Sequence, residues 1–423
     1  MSARPGPLGT PDTSVPQSSI DRALLDESRF GGGCMHLGAV LLFDGDPPGL
    51  DALAAHLTER LPLAPELTFR AAGTARRPRW EPDPAFDVRN HLHLAAPAPG
   101  PGPLADRVIN AMLGLPLDPG RPLWGLWAVP TGHGHALCYR AHHGYQDGQA
   151  AARTVRTLFA PSPSRPTRRP TTPPVPRLEP GVVRDVLPLL RRPARWSALD
   201  APPGSRRLAT TTDTDLTRLK AIARTTSTTV NQVCLALVTS LLRGCFPRDW
   251  PHPRQTVRTA MGLSLRSPRA PYPCLGNQSG ADHIALPCGE PSAPRRLEIL
   301  RERITPEHLA QVRRHQAALL GRLPRWSGKF VVRVSTHPRF VQLAVVDIRG
   351  RTSVAFGGRQ AQAVYALPPW IPRQPLMITW ITYRDRLHAT FLASDEFAGR
   401  TLLADLWHQA VDDLGREARV RTL

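Results

Sequence analysis

The sequence predicts an α/β fold built from two halves. Its 423 residues are 41% hydrophobic, which is enough apolar material for a large core. Strand-like and helix-like patterns alternate on both sides of a Pro-rich stretch at 161–205, where repeated prolines prevent continuous helix or sheet. We therefore expect a flexible arm at 1–17, a first half at 18–160, a linker at 161–205 and a second half at 206–423.

Hydrophobic periodicity predicts the elements of the first half. Ser18 can cap a first helix, with Asp21 near the positive end of its dipole. The predicted strands cover 35–43, 86–94 and 135–141, and the later predicted helices cover 50–61, 104–113 and 149–159. The last strand and the last helix are separated by a short loop, so this part of the chain reads as strand, tight loop and helix.

The second half also contains both helix-like and strand-like hydrophobic patterns. Thr214 can cap one helix, and another helix begins near Thr229. A strand is predicted at 256–265, a long Arg-rich helical region at 292–320, a β-hairpin at 376–383 and 386–393, and a final amphipathic helix that includes 402–414.

The chain is strongly basic, with 54 Lys and Arg against 34 Asp and Glu and a formal net charge of +20. Lys220 and Lys329 are its lysines, so almost all of the positive charge comes from arginines scattered along the sequence. No nucleic-acid-binding motif accompanies them, and aromatic residues make up only 6%. We interpret the charge as a solvated basic surface, parts of which could meet anionic cofactors, acidic carrier proteins or anionic lipid, and we predict no nucleic-acid partner.

The cysteines and the N-terminal residues predict a cytoplasmic protein. The six cysteines include no C-x-x-C pair, and most lie in apolar runs, which favours buried thiols in a reducing compartment. The N-terminal residues lack the apolar centre of a signal peptide, and no apolar run reaches the length that spans a bilayer. We expect a soluble protein, or one that associates peripherally with the inner membrane surface.

The motif that carries chemistry is H-H-x-x-x-D-G at 142–148, directly after a predicted strand. Because side chains alternate along a strand, His142 and His143 should point in opposite directions, one into a cleft and one into the core. An imidazole can accept a proton from a hydroxyl or amine nucleophile. Asp147 can fold back to stabilise the loop, and Gly148 permits a tight turn with close backbone approach.

The motif alone only slightly favours catalysis over a chance pair of histidines. A metal site is a weaker interpretation, because the spacing is not a typical zinc spacing and no partner cluster is evident. Nucleotide-binding glycine loops and G-x-S-x-G are absent from the sequence.

The surrounding elements give the motif more weight, because together they resemble one family. H-H-x-x-x-D-G is typical of CoA-dependent acyltransferases, which include chloramphenicol acetyltransferases and condensation domains. Within that superfamily the chain resembles the bacterial wax ester synthase/diacylglycerol acyltransferase family. The matching elements, in chain order, are MHLG at 35–38, PLD at 116–118, RPLW at 121–124, TVN at 229–231, LSLR at 263–266 and GN at 276–277.

The resemblance implies roles for individual residues. His143 would be the general base, His142 would support the loop, and Asp147 would hold the loop through an ion pair with Arg266 as one candidate partner. Trp124, Asn277 and Arg266 are candidates for substrate binding, although Trp124 fits a core position equally well. Asn277 could either orient substrate or hold a turn.

The resemblance also implies a fold and a reaction. The fold would be two chloramphenicol-acetyltransferase-like halves with a channel between them and His143 at its centre. The reaction would move a fatty acyl group from acyl-CoA, as co-substrate, to a long-chain alcohol or diacylglycerol, giving wax ester or triacylglycerol. No metal or prosthetic group would be needed. The implied contacts are acyl-CoA, a lipid acceptor and peripheral contact with a membrane or lipid droplet.

Some positions depart from the family and leave alternatives open. Residues 347–351 read DIRGR where the family often has NVPGP, and Gln232 stands where Asp is common. The loop between the histidines and Asp147 carries Tyr145 and Gln146 in place of smaller or apolar residues. One alternative is a natural-product tailoring or condensation-type acyltransferase that uses a CoA or carrier-protein thioester, with the carrier as a partner. The other is a non-catalytic relative.

Overall fold

The computed structural model describes residues 14–30, 34–98, 100, 102–132, 134–162, 175–179, 181–182, 196–199, 206–266, 275–349, 353–371 and 374–420. Most of the expected linker at 161–205 and most of the expected arm at 1–17 lie outside these residues, so the division into halves stays a prediction. Ser14–Gln17, at the end of the expected arm, are ordered: Val15 and Pro16 form a strand that pairs with Trp80 and Arg79.

The first half contains both element types that its periodicity predicts. Its strands are β1 (Val15–Pro16), β2 (His36–Asp44), β3 (Phe69–Thr74), β4 (Arg77–Pro82), β5 (Leu92–Leu94), β6 (Trp124–Pro130) and β7 (Gly134–His142). Its α-helices are α1 (Ser19–Phe30), α2 (Leu50–Arg60), α3 (Leu104–Met112) and α4 (Gly148–Phe159).

The second half has the larger sheet, with six strands, and the longest helix of the described residues, Leu403–Val420. Its strands are β8 (Arg207–Asp215), β9 (Val257–Ser264), β10 (Ser279–Leu286), β11 (Leu343–Arg349), β12 (Ala355–Phe356), β13 (Arg359–Gln360), β14 (Ala363–Leu367), β15 (Leu376–Tyr383) and β16 (Arg386–Ser394). Its α-helices are α5 (Leu216–Thr225), α6 (Val230–Cys245), α7 (Ala293–Arg303), α8 (Pro306–Leu320), α9 (Gly328–Thr336) and α10 (Leu403–Val420). Short 3-10 turns cover Leu61–Leu63, Pro65–Thr68, Val88–His91, Ser197–Leu199, Arg325–Ser327 and Arg400–Leu402.

Two sheets form the framework on which the helices pack. The first-half sheet has the strand order β14-β2-β7-β6-β5, and the second-half sheet has the order β10-β9-β11-β15-β16-β8. Strand β14 comes from the second half of the sequence but pairs with β2 of the first. A core cluster that includes Val40 and Cys138 from the first half and Met377 and Leu392 from the second joins the two sheets. The mixed α/β architecture predicted from the sequence is thus confirmed.

Local capping explains where the predicted elements were wrong. Of the strand expected at 86–94, only Leu92–Leu94 is a strand, and Val88–His91 form a 3-10 turn, because the Asp87 carboxylate accepts a hydrogen bond from the Arg89 amide and starts the turn. The helical region expected at 292–320 is two helices, because Thr305 caps a new helix and Pro306 has no amide hydrogen to continue the old one. Asp215, rather than Thr214, caps α5.

The cysteines in the described part of the chain are free thiols. Cys138, Cys234 and Cys288 are buried, and burial raises the pKa of each thiol. This agrees with the expected buried thiols, while Cys274 lies outside the described residues.

Candidate active site

The H-H-x-x-x-D-G segment forms a tight loop between β7 and α4, as the sequence predicts. The backbone carbonyl of His142 accepts hydrogen bonds from the amides of Tyr145 at 2.8 Å and Gln146 at 3.0 Å, which turns the chain back on itself. The amide of His143 donates to the carbonyl of Met35 at 2.7 Å, so the loop is also fixed to the residue before β2. Three backbone bonds therefore set the direction of both histidines.

The two histidines point in opposite directions. His142 is only 4% exposed, and its Nδ1 accepts a hydrogen bond from the Gly144 amide at 3.0 Å. Its ring packs edge-on against His36, with the ring centroids 5.5 Å apart. His143 instead lines a large cavity. His142 therefore shapes the loop, while His143 is available to a bound molecule.

Asn277 is the side chain that holds the His143 ring. Its Nδ2 lies 2.8 Å from His143 Nδ1 and donates to the His143 carbonyl at 3.1 Å. The amide is oriented by Ser279, because Asn277 Oδ1 accepts hydrogen bonds from both the backbone and the hydroxyl of that serine. Burial lowers the pKa of His143, although a hydrogen bond to its own carbonyl and the charge of Asp147 partly oppose this. The imidazole is thus favoured in its neutral form, which can accept a proton.

Asp147 joins the loop to the second half of the chain. One carboxylate oxygen accepts a hydrogen bond from the Ala150 amide and so caps α4. The other accepts from Arg266 at 2.8 and 3.0 Å and from the Gln278 amide at 2.9 Å. Burial alone would raise the pKa of Asp147, but Arg266 and the hydrogen bonds outweigh it and lower the pKa. Both oxygens are occupied, so the carboxylate holds the loop in place.

Asp21 is a site-supporting residue that sequence reasoning missed. Its Oδ1 accepts a hydrogen bond from the backbone amide of Asn277 at 2.7 Å, and its Oδ2 accepts one from the Trp80 indole at 3.2 Å. Asp21 also exchanges hydrogen bonds with Ser18, whose amide and hydroxyl form a reciprocal cap at the start of α1. Burial raises the pKa of Asp21, and these hydrogen bonds oppose the shift. The Ser18-x-x-Asp21 cap was visible in the sequence, but its contact with Asn277 was not.

The remaining sequence candidates lie beside the cavity or in the core. Trp124 is 2% exposed, donates from its indole to the Leu67 carbonyl at 2.7 Å and stacks on His91, so it occupies a core position. Arg266 also donates to the Gly276 carbonyl at 2.7 Å. Neither side chain is among those that line the cavity.

Gly148 does not have the backbone conformation expected for a tight turn. It begins α4 without a positive φ, so glycine is not needed there for the turn. A Cβ atom at this position would meet no other atom within 4 Å. Gly148 does line the cavity, and its missing side chain leaves that part of the wall open.

The cavity has a volume of about 390 Å³ and lies between the halves. One wall is a face of the second-half sheet, where Ala260, Gly262 and Ala344 are small enough to leave space. Helices α8 and α9 supply mainly leucine, valine and phenylalanine to the lining, and its polar groups include His143, Asn277 and Asp347. A space of this size that is lined mainly by apolar side chains suits an aliphatic molecule with a polar end.

The described residues include neither a metal-binding cluster nor a membrane-crossing helix. No group of three His, Cys, Asp or Glu side chains there could hold a metal ion. No helix in those ranges is both long enough and apolar enough to cross a membrane.

The structure thus has two halves around a central cavity, with a histidine from H-H-x-x-x-D-G on the cavity wall. Residues 18–186 match the wax ester synthase/diacylglycerol acyltransferase catalytic domain, which confirms the family resemblance carried by the sequence motifs. A probable diacylglycerol O-acyltransferase, tgs1, of Mycobacterium tuberculosis is 24% identical over 407 residues, covering 84% of this chain and 86% of that protein.

Solved structures share the whole fold. The wax ester synthase/diacylglycerol acyltransferase from Marinobacter aquaeolei VT8 superposes with a TM-score of 0.65 at 18% identity, covering 96% of this chain and 99% of that one. A starter condensation domain of rhizomide synthetase, a mutant solved with C8-CoA and Leu-SNAC, also gives a TM-score of 0.65 at 14% identity and covers 96% of this chain and 95% of that one. The two-half acetyltransferase-like fold is therefore shared with both kinds of enzyme.

Proposed function

We propose that this protein transfers a fatty acyl group from acyl-CoA to the hydroxyl of a long-chain alcohol or diacylglycerol. The observation that carries the proposal is the position of His143 on the wall of a cavity lined mainly by apolar side chains, where its lowered pKa favours the neutral imidazole. A lipid acceptor and a fatty acyl chain both fit such a lining. The names of the relatives, which include a probable diacylglycerol O-acyltransferase, support the same reaction.

His143 acts as the general base in this proposal. It takes the proton from the acceptor hydroxyl as the oxygen attacks the thioester carbonyl carbon. A C–O bond forms, the C–S bond breaks, and His143 returns the proton to the departing CoA sulfur. Because a thioester is already activated, positioning and one proton acceptor are sufficient, so we propose no metal or prosthetic group.

The test is detection of the ester product by mass spectrometry. The protein is incubated with palmitoyl-CoA and either hexadecanol or diacylglycerol. We expect ester from the wild type and a loss of at least about 100-fold in His143→Asn, the scale of lost general-base catalysis. His56→Asn, which changes a half-buried histidine outside the cavity, is the matched control and should keep its activity. Equal activity in both variants would reject His143 as the base, and no ester from folded wild type would reject the lipid reaction.

A second candidate is acyl transfer from a carrier-protein thioester, as in a condensation-type enzyme. The specific support is that a condensation domain shares the fold to the same TM-score as the wax ester synthase. The same assay with an acylated carrier protein in place of acyl-CoA separates the two donors. Activity only with the carrier would favour this second reaction.

A further inference from the structure

One exposed surface combines aromatic and basic side chains, and it begins just before α9. Trp326 is 80% exposed and Phe330 is 62% exposed, which makes them the two most exposed large apolar side chains in the described ranges. They are four residues apart, and Lys329 and Arg333 are exposed on the same side of the helix. We call Trp326, Lys329, Phe330 and Arg333 the α9 outer face.

The opposite side of α9 is fixed to the body of the protein. Gly328 approaches α1 so closely that a Cβ atom there would lie 2.1 Å from the Ser19 carbonyl oxygen. Val332 is buried in a cluster with Ala23, Leu24 and Met35. The α9 outer face is therefore held outward by packing on α1.

Charge favours a negative partner for this face. The Lys329 side chain is 64% exposed, and its ammonium lies 3.0 Å from the largely buried Asp26 carboxylate. Arg22 lies 3.1 Å from the same carboxylate, so two cations share one buried acid. Arg333 adds another exposed cation. Basic charge beside exposed aromatic rings is typical of helices that lie on an anionic bilayer surface.

The α9 outer face is continuous with the cavity. Phe330 is exposed to solvent and also lines the cavity that contains His143, so the cavity reaches the surface at this helix. Ile20 and Leu24 of α1 line the cavity beside it. A lipid leaving a bilayer in contact with α9 could enter the cavity without crossing water.

We infer that the α9 outer face docks the protein on an anionic lipid bilayer and so presents the mouth of its cavity to lipid substrate. The inference rests on the proposed function for its purpose, but the docking itself can be measured without any reaction. Trp326 would sit at the interface and Arg333 would contact anionic headgroups.

The test is flotation of the full chain with two kinds of vesicle: phosphatidylcholine alone, and phosphatidylcholine mixed with phosphatidylglycerol. We expect the wild type to float with the anionic vesicles and much less with the neutral ones. Trp326→Ser should lower the bound fraction severalfold, and Arg333→Glu should weaken binding by more than about fivefold, since one surface cation contributes about 1 kcal/mol.

Matched controls separate this face from the general basic charge of the protein. Arg224→Glu changes the net charge as Arg333→Glu does, but at an exposed position on α5, and Leu94→Ser removes an apolar side chain that is 59% exposed on β5. Both should float like the wild type. The inference is overturned if the wild type does not float, if neutral vesicles bind it equally, or if the α9 variants float as well as the controls.

An activity assay in vesicle-free solution distinguishes failure of docking from failure of the proposed function. With a short, water-soluble acyl-CoA and a short alcohol, Trp326→Ser should retain wild-type turnover, because Trp326 does not line the cavity. Flotation without any ester formation would keep the docking surface and reject the reaction. Loss of turnover in the soluble assay would show that Trp326 acts on the cavity rather than on docking.

Discussion

Asn277 Nδ2 lies 2.8 Å from His143 Nδ1, although 134 residues separate them in sequence. The proposed base is carried by the first half of the chain and the residue that orients it by the second. From α1, the Asp21 carboxylate accepts a hydrogen bond from the backbone amide of Asn277. The Asp147 carboxylate accepts hydrogen bonds from the Arg266 side chain and from the backbone amide of Gln278. The site therefore depends on the two halves keeping their relative position.

Replacing Asn277 with aspartate should shift the pH dependence of catalysis. Activity of a neutral base is lost as the pH falls through its pKa, and burial lowers the pKa of His143 in the wild type. A carboxylate beside the ring favours the protonated imidazolium, so Asn277→Asp should move the acidic limb of kcat/KM upward by about one to three pH units. The measurement is the pH profile of ester formation by both proteins.

The control for this shift is Asn90→Asp, which adds the same charge at an exposed position away from the cavity. Its acidic limb should coincide with that of the wild type. If Asn277→Asp also leaves the limb unmoved while still active, the titrating group is not His143.

Removing the charge of Asp147 should destabilise the protein strongly. Asp147→Asn leaves the Arg266 guanidinium, whose side chain is only 12% exposed, without its anionic partner. Breaking a buried ion pair in this way costs about 3–5 kcal/mol of unfolding free energy. Urea unfolding at neutral pH measures the loss. Asp412→Asn, which breaks an exposed pair with Arg218, should cost less than about 1 kcal/mol.

The same pair predicts a pH dependence of stability. The pKa of Asp147 is lower in the folded protein than in the unfolded chain, so its stabilising contribution is full above the unfolded pKa and is lost as the pH falls through the folded pKa. The stability difference between wild type and Asp147→Asn should therefore shrink on acidification. A constant difference down to strongly acidic pH would contradict this account.

The sequence was sufficient for the parts of the site that are local in the chain. Strand alternation predicted opposite directions for His142 and His143, and the structure places one in the core and the other on the cavity wall. Arg266 could be named as a candidate partner of Asp147 only through the family resemblance, because 119 residues separate them. Asp21 and Asn277 are 256 residues apart, and no local pattern marks their contact.

The fold shows the same limit. Alternating or apolar runs predicted the strands β2, β7, β15 and β16. Strand β2 pairs with β7 in the first-half sheet, and β15 pairs with β16 in the second-half sheet. Nothing local shows that β14 leaves the second half to pair with β2, since any exposed sheet edge could accept a short apolar strand. Periodicity also predicted strand at residues 88–91, which form a 3-10 turn, because the Asp87 side chain competes there with strand hydrogen bonding.

Asp21 should act as a positioning residue for His143. The Asp21 carboxylate accepts hydrogen bonds from three donors, which are the Ser18 backbone amide, the Trp80 indole and the Asn277 backbone amide. In Asp21→Asn one carboxylate oxygen becomes an NH₂ group, so at least one of these donors would face another donor and lose its hydrogen bond. We expect a loss of about 1–3 kcal/mol in stability and a fall in kcat larger than any change in KM. Trp80→Phe is the comparison, because it removes another donor to Asp21 but keeps the Asn277 bond. Trp80→Phe should lower the stability and keep kcat. If kcat fell equally in Asp21→Asn and Trp80→Phe, Asp21 would contribute to folding only and would not position His143.

Gly148 should tolerate a small side chain and lose activity with a large one. A Cβ there meets no atom within 4 Å, and the backbone is already helical, so Gly148→Ala should fold normally and gain about 0.4–1 kcal/mol from the restricted unfolded chain. Gly148→Leu should also fold, but its side chain should project into the cavity and lower kcat/KM more for long-chain than for short-chain substrates.

Gly38 gives the opposite case, because a Cβ would lie 1.8 Å from the Tyr139 carbonyl oxygen, and Gly38→Ala should be severely destabilised. Thermal unfolding measures the stability of the Gly38 and Gly148 variants, and the dependence of kcat/KM on substrate chain length measures the effect on the cavity. A uniform loss of activity across chain lengths in Gly148→Leu would place Gly148 outside the path of the acyl chain.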